Sequence, residues 1–287
     1  MSATLVARKD FQDASRSKVL WILSALYVLF ISAMVWAFSE FESLLAGGDA
    51  AAAAQQGVSF NLYLFMAGAT TLFISATALV VSYKSIAGER ESGQLKLLLG
   101  LPHSRRDVLL GKVVGRTGVL AVPVLLGFAV ALLVAFVIGV DVVVTEYVVF
   151  ALLTVLYALV YVSIVVGVSA MANTTTQATA GAISIFVVLE VLWDLVPTVA
   201  VFGYYYLTDQ PIPVSAAEYP EWFYVVTRLA PTTAYNTARN AVLPKSASVS
   251  IDSSSFLLQD WLGFVVLGVW LVVPLVVGYW RFDAADL

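Results

Sequence analysis

The sequence predicts an all-α integral membrane protein with six transmembrane helices, and three observations support that class. Hydrophobic residues fill 61% of the 287 positions and charged residues only 12%, whereas soluble domains average about 45–50% and 25%. Six apolar stretches are each long enough to cross about 30 Å of hydrocarbon as a helix. Most Lys and Arg residues lie in segments that fall on one side of those stretches.

The chain is predicted to form one transmembrane domain over residues 1–287. Charged, Gly-rich or Pro-bearing segments separate its apolar stretches, and amphipathic aromatics such as Trp36 and Trp261 lie at their edges, as is typical of headgroup depth. The expected spans are residues 19–38, 62–81, 118–140, 147–171, 178–201 and 261–280.

The distribution of basic residues predicts the orientation. Twelve of the 15 Lys and Arg residues precede span one, lie between spans two and three, or follow span six, and segments 39–61 and 141–146 contain none. Cytoplasmic segments carry an excess of Lys and Arg. We therefore expect a multi-pass protein of the cell membrane, with both termini and the 82–117 loop in the cytoplasm and 202–260 outside.

Composition argues against an enzyme. The chain has no Cys and one His, His103, so disulfides, thiolate metal sites, His-based zinc sites and Ser-His-Asp triads are not expected. No catalytic residue, metal ligand or cofactor is predicted within this chain. The net charge of −4 gives no reason to expect a nucleic-acid partner.

Residues 1–18 are predicted to form an amphipathic helix in the membrane interface. Such a helix places its apolar side chains in the lipid and its charges at the phosphates. The apolar contacts would come from Leu5, Val6 and Phe11. The charged residues expected to face water are Arg8, Lys9, Asp10, Asp13 and Arg16. The alternative is a solvated basic flank that only fixes orientation.

The 82–117 segment is rich in structure signals. Residues 84–91 can continue span two as a helix that stops at Gly93, and a leucine-rich turn follows. Ser104 with Asp107 three residues later is a helix N-cap signature, and the helix would run through Lys112 into span three. An apolar centre with a charged rim suits a protein-docking surface. Alternatively, the leucines pack beneath the helices of their own chain.

This segment resembles the cytoplasmic signature of ABC type-2 exporter permeases. The matching residues are the run 89–99 (ERESGQLKLLL), then Leu101-Pro102-x-Ser104-Arg105 and Gly111-Lys112; Gln94 stands where Thr is common. The likeness extends to the whole chain and is greatest to the branch that contains the nitrous-oxide-reductase maturation permease and its archaeal relatives. It implies a coupling helix between spans two and three that docks on a separate ATPase, and an external helical cap between spans five and six.

The resemblance also implies partners. The chain has no Walker A motif, so ATP and Mg would be bound by a cytoplasmic ABC ATPase subunit, and six spans imply a homodimer or a heterodimer with a second permease. Membrane lipid and an external accessory protein are further expected contacts. The expected ATPase-docking residues are Glu89, Arg90, Glu91, Gly93, Leu95, Lys96, Leu98, Leu99, Pro102, Ser104, Arg105, Arg106 and Lys112.

Two carboxylates fall inside span five, Glu190 and Asp194. Burial of a charge in a membrane is costly, so such residues often line a pathway. Here they are pathway candidates, exposed further if Pro197 kinks the span; the alternative is that they face water at the outer mouth or pair with Arg228 or Arg239. A secondary transporter or channel that uses both carboxylates is the alternative to an exporter permease.

Overall fold

The computed structural model describes residues 3–47, 62–95, 104–211, 213, 219–243 and 255–284, and its regular elements in this part of the chain are helices. They are α1 (Ala3–Ser15), α2 (Lys18–Gly47), α3 (Leu62–Ser82), α4 (Ala87–Glu91), α5 (Arg105–Ile138), α6 (Val144–Met171), α7 (Thr175–Val187), α8 (Leu195–Leu207), α9 (Glu221–Thr227), α10 (Pro231–Val242) and α11 (Leu262–Asp283).

The six expected spans are confirmed as helices. Within the described residues, six helical stretches are long and apolar enough to cross a membrane. They are Leu20–Glu40, Phe65–Glu91, Arg105–Ile138, Val144–Met171, Thr175–Leu192 and Leu262–Asp283. The all-α membrane class therefore holds.

Helix α6 is the centre of the bundle. It is the most buried of the six spans and contacts α3, α5, α7, α10 and α11. The approach of α11 is closest at Gly167, where an added Cβ would lie 2.4 Å from the carbonyl oxygen of Pro274. Phe150, Tyr157 and Ile164 of α6 are fully buried. Lipid-facing apolar residues instead cover much of the outer surface of α2, α7 and α11.

Span five is divided rather than continuous. Helix α7 passes into a π-helical turn at Val188–Leu192, and α8 starts at Leu195. Pro197 lies in the first turn of α8, where its missing N–H costs no helical hydrogen bond, but its ring conflicts with a helical carbonyl four residues earlier. The expectation of one regular helix over 178–201 is therefore corrected: a π-helical turn interrupts it, and α8 begins at Leu195.

The described residues between α8 and α11 include two short α-helices, α9 and α10, and a 3-10 turn at Phe256–Leu258. Pro231 is the first residue of α10, a position where the fixed φ and missing N–H of proline suit the start of a helix. The indole Nε1 of Trp270 on α11 donates to the Leu229 carbonyl at 2.8 Å. Gly263 lets α11 meet α10, since an added Cβ there would lie 2.5 Å from the carbonyl oxygen of Ala234. Most of the Ser-rich stretch 244–259 lies outside the described residues.

Candidate functional site at the basic end of the bundle

One end of the bundle gathers α1, α4, the start of α5 and the end of α11, and we call it the basic end. Helix α5 begins there with a complete capping box: the Ser104 hydroxyl accepts from the Asp107 N–H, and the Asp107 carboxylate accepts from the Ser104 N–H. The predicted N-cap is thus confirmed. It fixes the point at which the 82–117 segment becomes span three.

Lys112 is the centre of a buried ionic cluster. Its side chain is only 6% exposed, and its Nζ lies 2.9 Å from Asp10 Oδ1 and within hydrogen-bond distance of Glu89. Arg116, one turn later on α5, has its Nε 2.8 Å from Asp10 Oδ2 and donates to the Val81 carbonyl at 2.9 Å. The cluster joins α1, α3, α4 and α5, with two cations balanced by two carboxylates.

The expectation that Asp10 faces water is wrong. Its side chain is 4% exposed, because α1 packs on α5 with this face inward. Burial of a charge is tolerated only with opposite charges and hydrogen bonds around it, and Lys112 and Arg116 supply both. Of the apolar residues on α1, Val6 is buried, whereas Leu5 is 43% exposed.

Glycines on α5 make this packing possible. An added Cβ at Gly111 would lie 2.6 Å from Val6 Cβ and 2.8 Å from the Ala3 carbonyl oxygen. One turn later, a Cβ at Gly115 would lie 3.0 Å from the carbonyl oxygen of Ala7. The Gly111-Lys112 pair therefore has two physical functions: the glycine admits α1, and the lysine holds it by charge.

Two arginines connect the 82–117 segment to the ends of other spans. Arg90 Nη1 donates to the Ala172 carbonyl at 2.6 Å, in the connection between α6 and α7. Arg105 Nη1 donates to the last carbonyls of α11, those of Phe282 and Asp283, the latter at 2.9 Å. A cation is favourable at a helix C-terminus. Both guanidinium groups also lie over the fully buried Phe282 ring, at 5.6 and 5.4 Å.

Further hydrogen bonds fix α4 against α6 and α7. The Ser169 hydroxyl accepts from the backbone N–H groups of Ile86 and Ala87 at 3.1 Å. The Glu91 carboxylate accepts from the Thr175 N–H at 2.9 Å, at the N-terminus of α7, where negative charge is stabilising. Gly93 then turns the chain with φ of 74°, as the predicted helix stop requires.

The expected docking residues divide into three groups. Glu89, Arg90, Arg105 and Lys112 bind groups of their own chain, and Leu95 is 0% exposed in the core with Ile86 and Val108. Leu95 and Lys112 are therefore buried in this chain rather than at its surface. Those at the surface include Glu91, Ser104 and Arg106. Lys96, Leu98, Leu99 and Pro102 lie outside the described residues.

The two span-five carboxylates occupy different surroundings. Glu190 is half-buried on the π-helical turn. Its Oε1 accepts hydrogen bonds from the hydroxyls of Tyr157 at 3.1 Å, Thr232 at 2.6 Å and Tyr161. Asp194 is exposed. Glu190 thus connects span five to α6 and to the first turn of α10 through three hydroxyl donors.

These features were compared with known proteins. A family model described as "ABC-2 family transporter protein" matches residues 4–287. The chain belongs to the ABC-2 transporter family. Two relatives, from Stutzerimonas stutzeri and Pseudomonas aeruginosa, are both named "Probable ABC transporter permease protein NosY" and are each 34% identical, over 130 and 131 residues. Those matches cover 45% of this ABC-2 chain and only 43% of each relative.

Three residues of the basic end of this ABC-2 chain were not identified from the sequence as part of the site: Asp10, Arg116 and Phe282. The Gly111-x-x-x-Gly115 spacing is a known pattern for close helix approach and indicates that another helix packs at this point. Nothing local in the sequence identifies α1 as that helix, since Asp10 and Lys112 are 102 positions apart.

Among the described residues, no group of three or more His, Cys, Asp or Glu side chains could hold a metal ion.

Proposed function

We propose that this chain is the membrane-spanning permease subunit of an ATP-driven exporter, and that a separate cytoplasmic ABC ATPase subunit binds ATP and Mg. Family membership and the relatives' printed name, ABC transporter permease, support this assignment. The observation that carries it is the basic-end network. That network connects the 82–117 segment to α1, α5, α7 and α11, so a force applied to the segment reaches several spans at once.

The proposal places both termini and the 82–117 segment in the cytoplasm, where the ATPase and its ATP are found. The excess of Lys and Arg at the basic end supports this sidedness. In this orientation α8, α9 and α10 lie on the outer side, where α9 and α10 form an external cap. An accessory protein outside the membrane would meet the chain at that cap.

Docking would use part of the 82–117 segment. We assign the contact to residues 96–103, with Leu98, Leu99 and Pro102 as the apolar centre and Lys96 on the rim. Glu91 and Arg106, which precede and follow that stretch in the sequence, are exposed and would add charge of both signs to the rim. Leu95 and Lys112, which are buried, would instead anchor the segment to its own helices.

ATP binding would close two ATPase subunits together and move each docked segment. Because Lys112, Arg90 and Arg105 bind three different parts of the chain, the segment, α1 and the start of α5 would shift as one unit. A homodimer, or a heterodimer with a second permease, would enclose the substrate pathway. The exposed apolar faces of α2, α7 and α11 are available for such a partner and for lipid.

Glu190 and Asp194 remain the pathway candidates of this proposal. If they carried a coupling ion instead, the chain would be a secondary transporter or channel. Three hydroxyl groups donate to Glu190 Oε1, which favours a structural connection between α6, the π-helical turn and α10. The exporter assignment therefore does not depend on these carboxylates.

The test is co-purification of the full-length chain with its ATPase subunit. A Leu98→Asp/Leu99→Asp variant places two charges in the docking centre and should lose the ATPase. The matched control, Phe256→Asp/Leu257→Asp, makes the same change at two exposed residues at the other end of the bundle and should retain it. ATPase retention by the docking variant, or failure of the wild-type chain to retain any ATPase, would overturn the proposal.

A further inference from the structure

A pocket of about 270 Å³ opens at the basic end between α2, α3 and α5. Its lining is apolar at Leu20, Leu23 and Val119, which we call the floor, and polar at Ser17, Lys84 and Arg116, which we call the rim. The pocket lies where the chain passes from the α1–α2 joint into the first span. It is therefore apolar towards the bilayer and cationic towards water.

Lys84 is the exposed cation among the residues of the rim. Its side chain is exposed, and its ammonium lies 5.2 Å from the centre of the Tyr83 ring. Within the described part of the chain, no carboxylate lies within 4 Å of it, although the Glu91 carboxylate interacts with it electrostatically at longer range. Arg116, by contrast, is paired with Asp10. Two more exposed cations, Arg16 and Lys18, flank Ser17 in the sequence.

We propose that this pocket binds one acidic phospholipid from the leaflet at the basic end. The anionic headgroup would lie at Lys84 and Ser17, with its acyl chains on Leu20, Leu23 and the exposed face of Val80. Basic pockets between transmembrane helices recognise anionic headgroups in this way. Tyr83 is the amphipathic aromatic expected at that depth. A free anion would match the rim but would leave the apolar floor unfilled.

The bound lipid would interact with the ionic cluster through Arg116. It would contact Arg116, which also pairs with Asp10, and it would fill the space beside the joint between α1 and α2. Lipid occupancy would therefore hold α1 in its packed position on α5. This inference stands on the pocket alone and does not require the ATPase assignment.

The test is native mass spectrometry of the detergent-purified full chain, titrated with phosphatidylglycerol or phosphatidylcholine. The wild-type chain should bind phosphatidylglycerol more tightly. Lys84→Gln should weaken that binding roughly fivefold, the effect of one basic residue near an anionic lipid. Arg281→Gln, the matched control, removes an exposed cation from the end of α11, which does not line the pocket, and should leave binding unchanged.

Two further measurements distinguish a lipid headgroup from a free phosphate ion as the bound anion. Val80→Trp adds bulk to the apolar side of the pocket without changing charge and should also weaken phosphatidylglycerol binding, with circular dichroism confirming the fold. Inorganic phosphate should compete poorly. Equal losses in Lys84→Gln and Arg281→Gln, unchanged binding in Val80→Trp, or efficient competition by phosphate would each overturn the proposal.

Discussion

Substitution of Gly111 by Ala tests the packing of α1 on α5 most directly, because the distances in the structure determine how severe the resulting clash is. The new Cβ would lie 2.6 Å from Val6 Cβ and 2.8 Å from the Ala3 carbonyl oxygen. Both atoms belong to or adjoin the backbone of α1, so no rotamer change removes the clash. Helix α1 must move away from α5, or the start of α5 must bend.

Two opposing contributions determine how much Gly111→Ala should change the free energy of the α1–α5 contact. Ala is favoured over Gly inside a helix by up to about 1 kcal/mol, whereas overpacking typically costs about 1–3 kcal/mol. Gly111→Ala should therefore destabilise the α1–α5 contact by up to about 2 kcal/mol. The matched control is Gly268→Ala on α11, where an added Cβ meets nothing within 4 Å, and this change should be neutral or stabilising.

Thiol labelling can report the position of α1, because the natural chain has no Cys. An Ala7→Cys parent places its single thiol at a position that is 8% exposed and should label slowly. Gly111→Ala in that parent should label faster, by up to about thirtyfold for 2 kcal/mol, and Gly268→Ala should not. Equal labelling rates in the two variants would refute the packing of α1 on α5.

Three other substitutions test separate contacts. Lys112→Met leaves the buried Asp10 carboxylate with Arg116 alone and should lower the free energy of unfolding in detergent by about 3 kcal/mol, near the low end for broken buried pairs; a loss under about 1 kcal/mol would contradict the cluster. Arg105→Gln removes a charged donor from the end of α11 and should speed hydrogen exchange of the last α11 amides, since such bonds contribute about 1.5–3 kcal/mol; unchanged exchange would argue against the contact. Glu190→Ala leaves three hydroxyls without their acceptor and should loosen α10, as measured by its amide exchange, whereas Glu190→Gln should largely preserve it; equal behaviour of the two would exclude the hydrogen-bonded connection.

The sequence predicted what depends on local pattern. Hydropathy and length identified six spans, and the Ser104–Asp107 spacing identified the start of α5, because both signals reside in contiguous residues. The turn at Gly93 and the break at Pro231 follow from the backbone preferences of Gly and Pro. These features need no knowledge of tertiary contacts.

What the sequence did not predict depends on distant contacts. Asp10 looked like a solvated charge because its partners lie more than 100 positions away on α5. The residues around Glu89 and Arg105 looked like a docking rim because charge pattern alone does not distinguish an external partner from the chain's own helices. The division of span five was missed since a regular helical period was assumed up to Pro197, whereas a π-helical turn interrupts it at Glu190.

We propose that α1 and the 82–117 segment move as one unit when the ATPase binds ATP. Spin labels at Asp13→Cys and Ser92→Cys, both exposed, would measure the distance between them in the chain–ATPase complex, with labelled chains diluted by unlabelled ones. If the two parts move as one unit, the distance distributions with and without ATP should be superimposable, and the distribution in Lys112→Met should be broadened. A distance that shifts on ATP binding in the otherwise wild-type chain would contradict it.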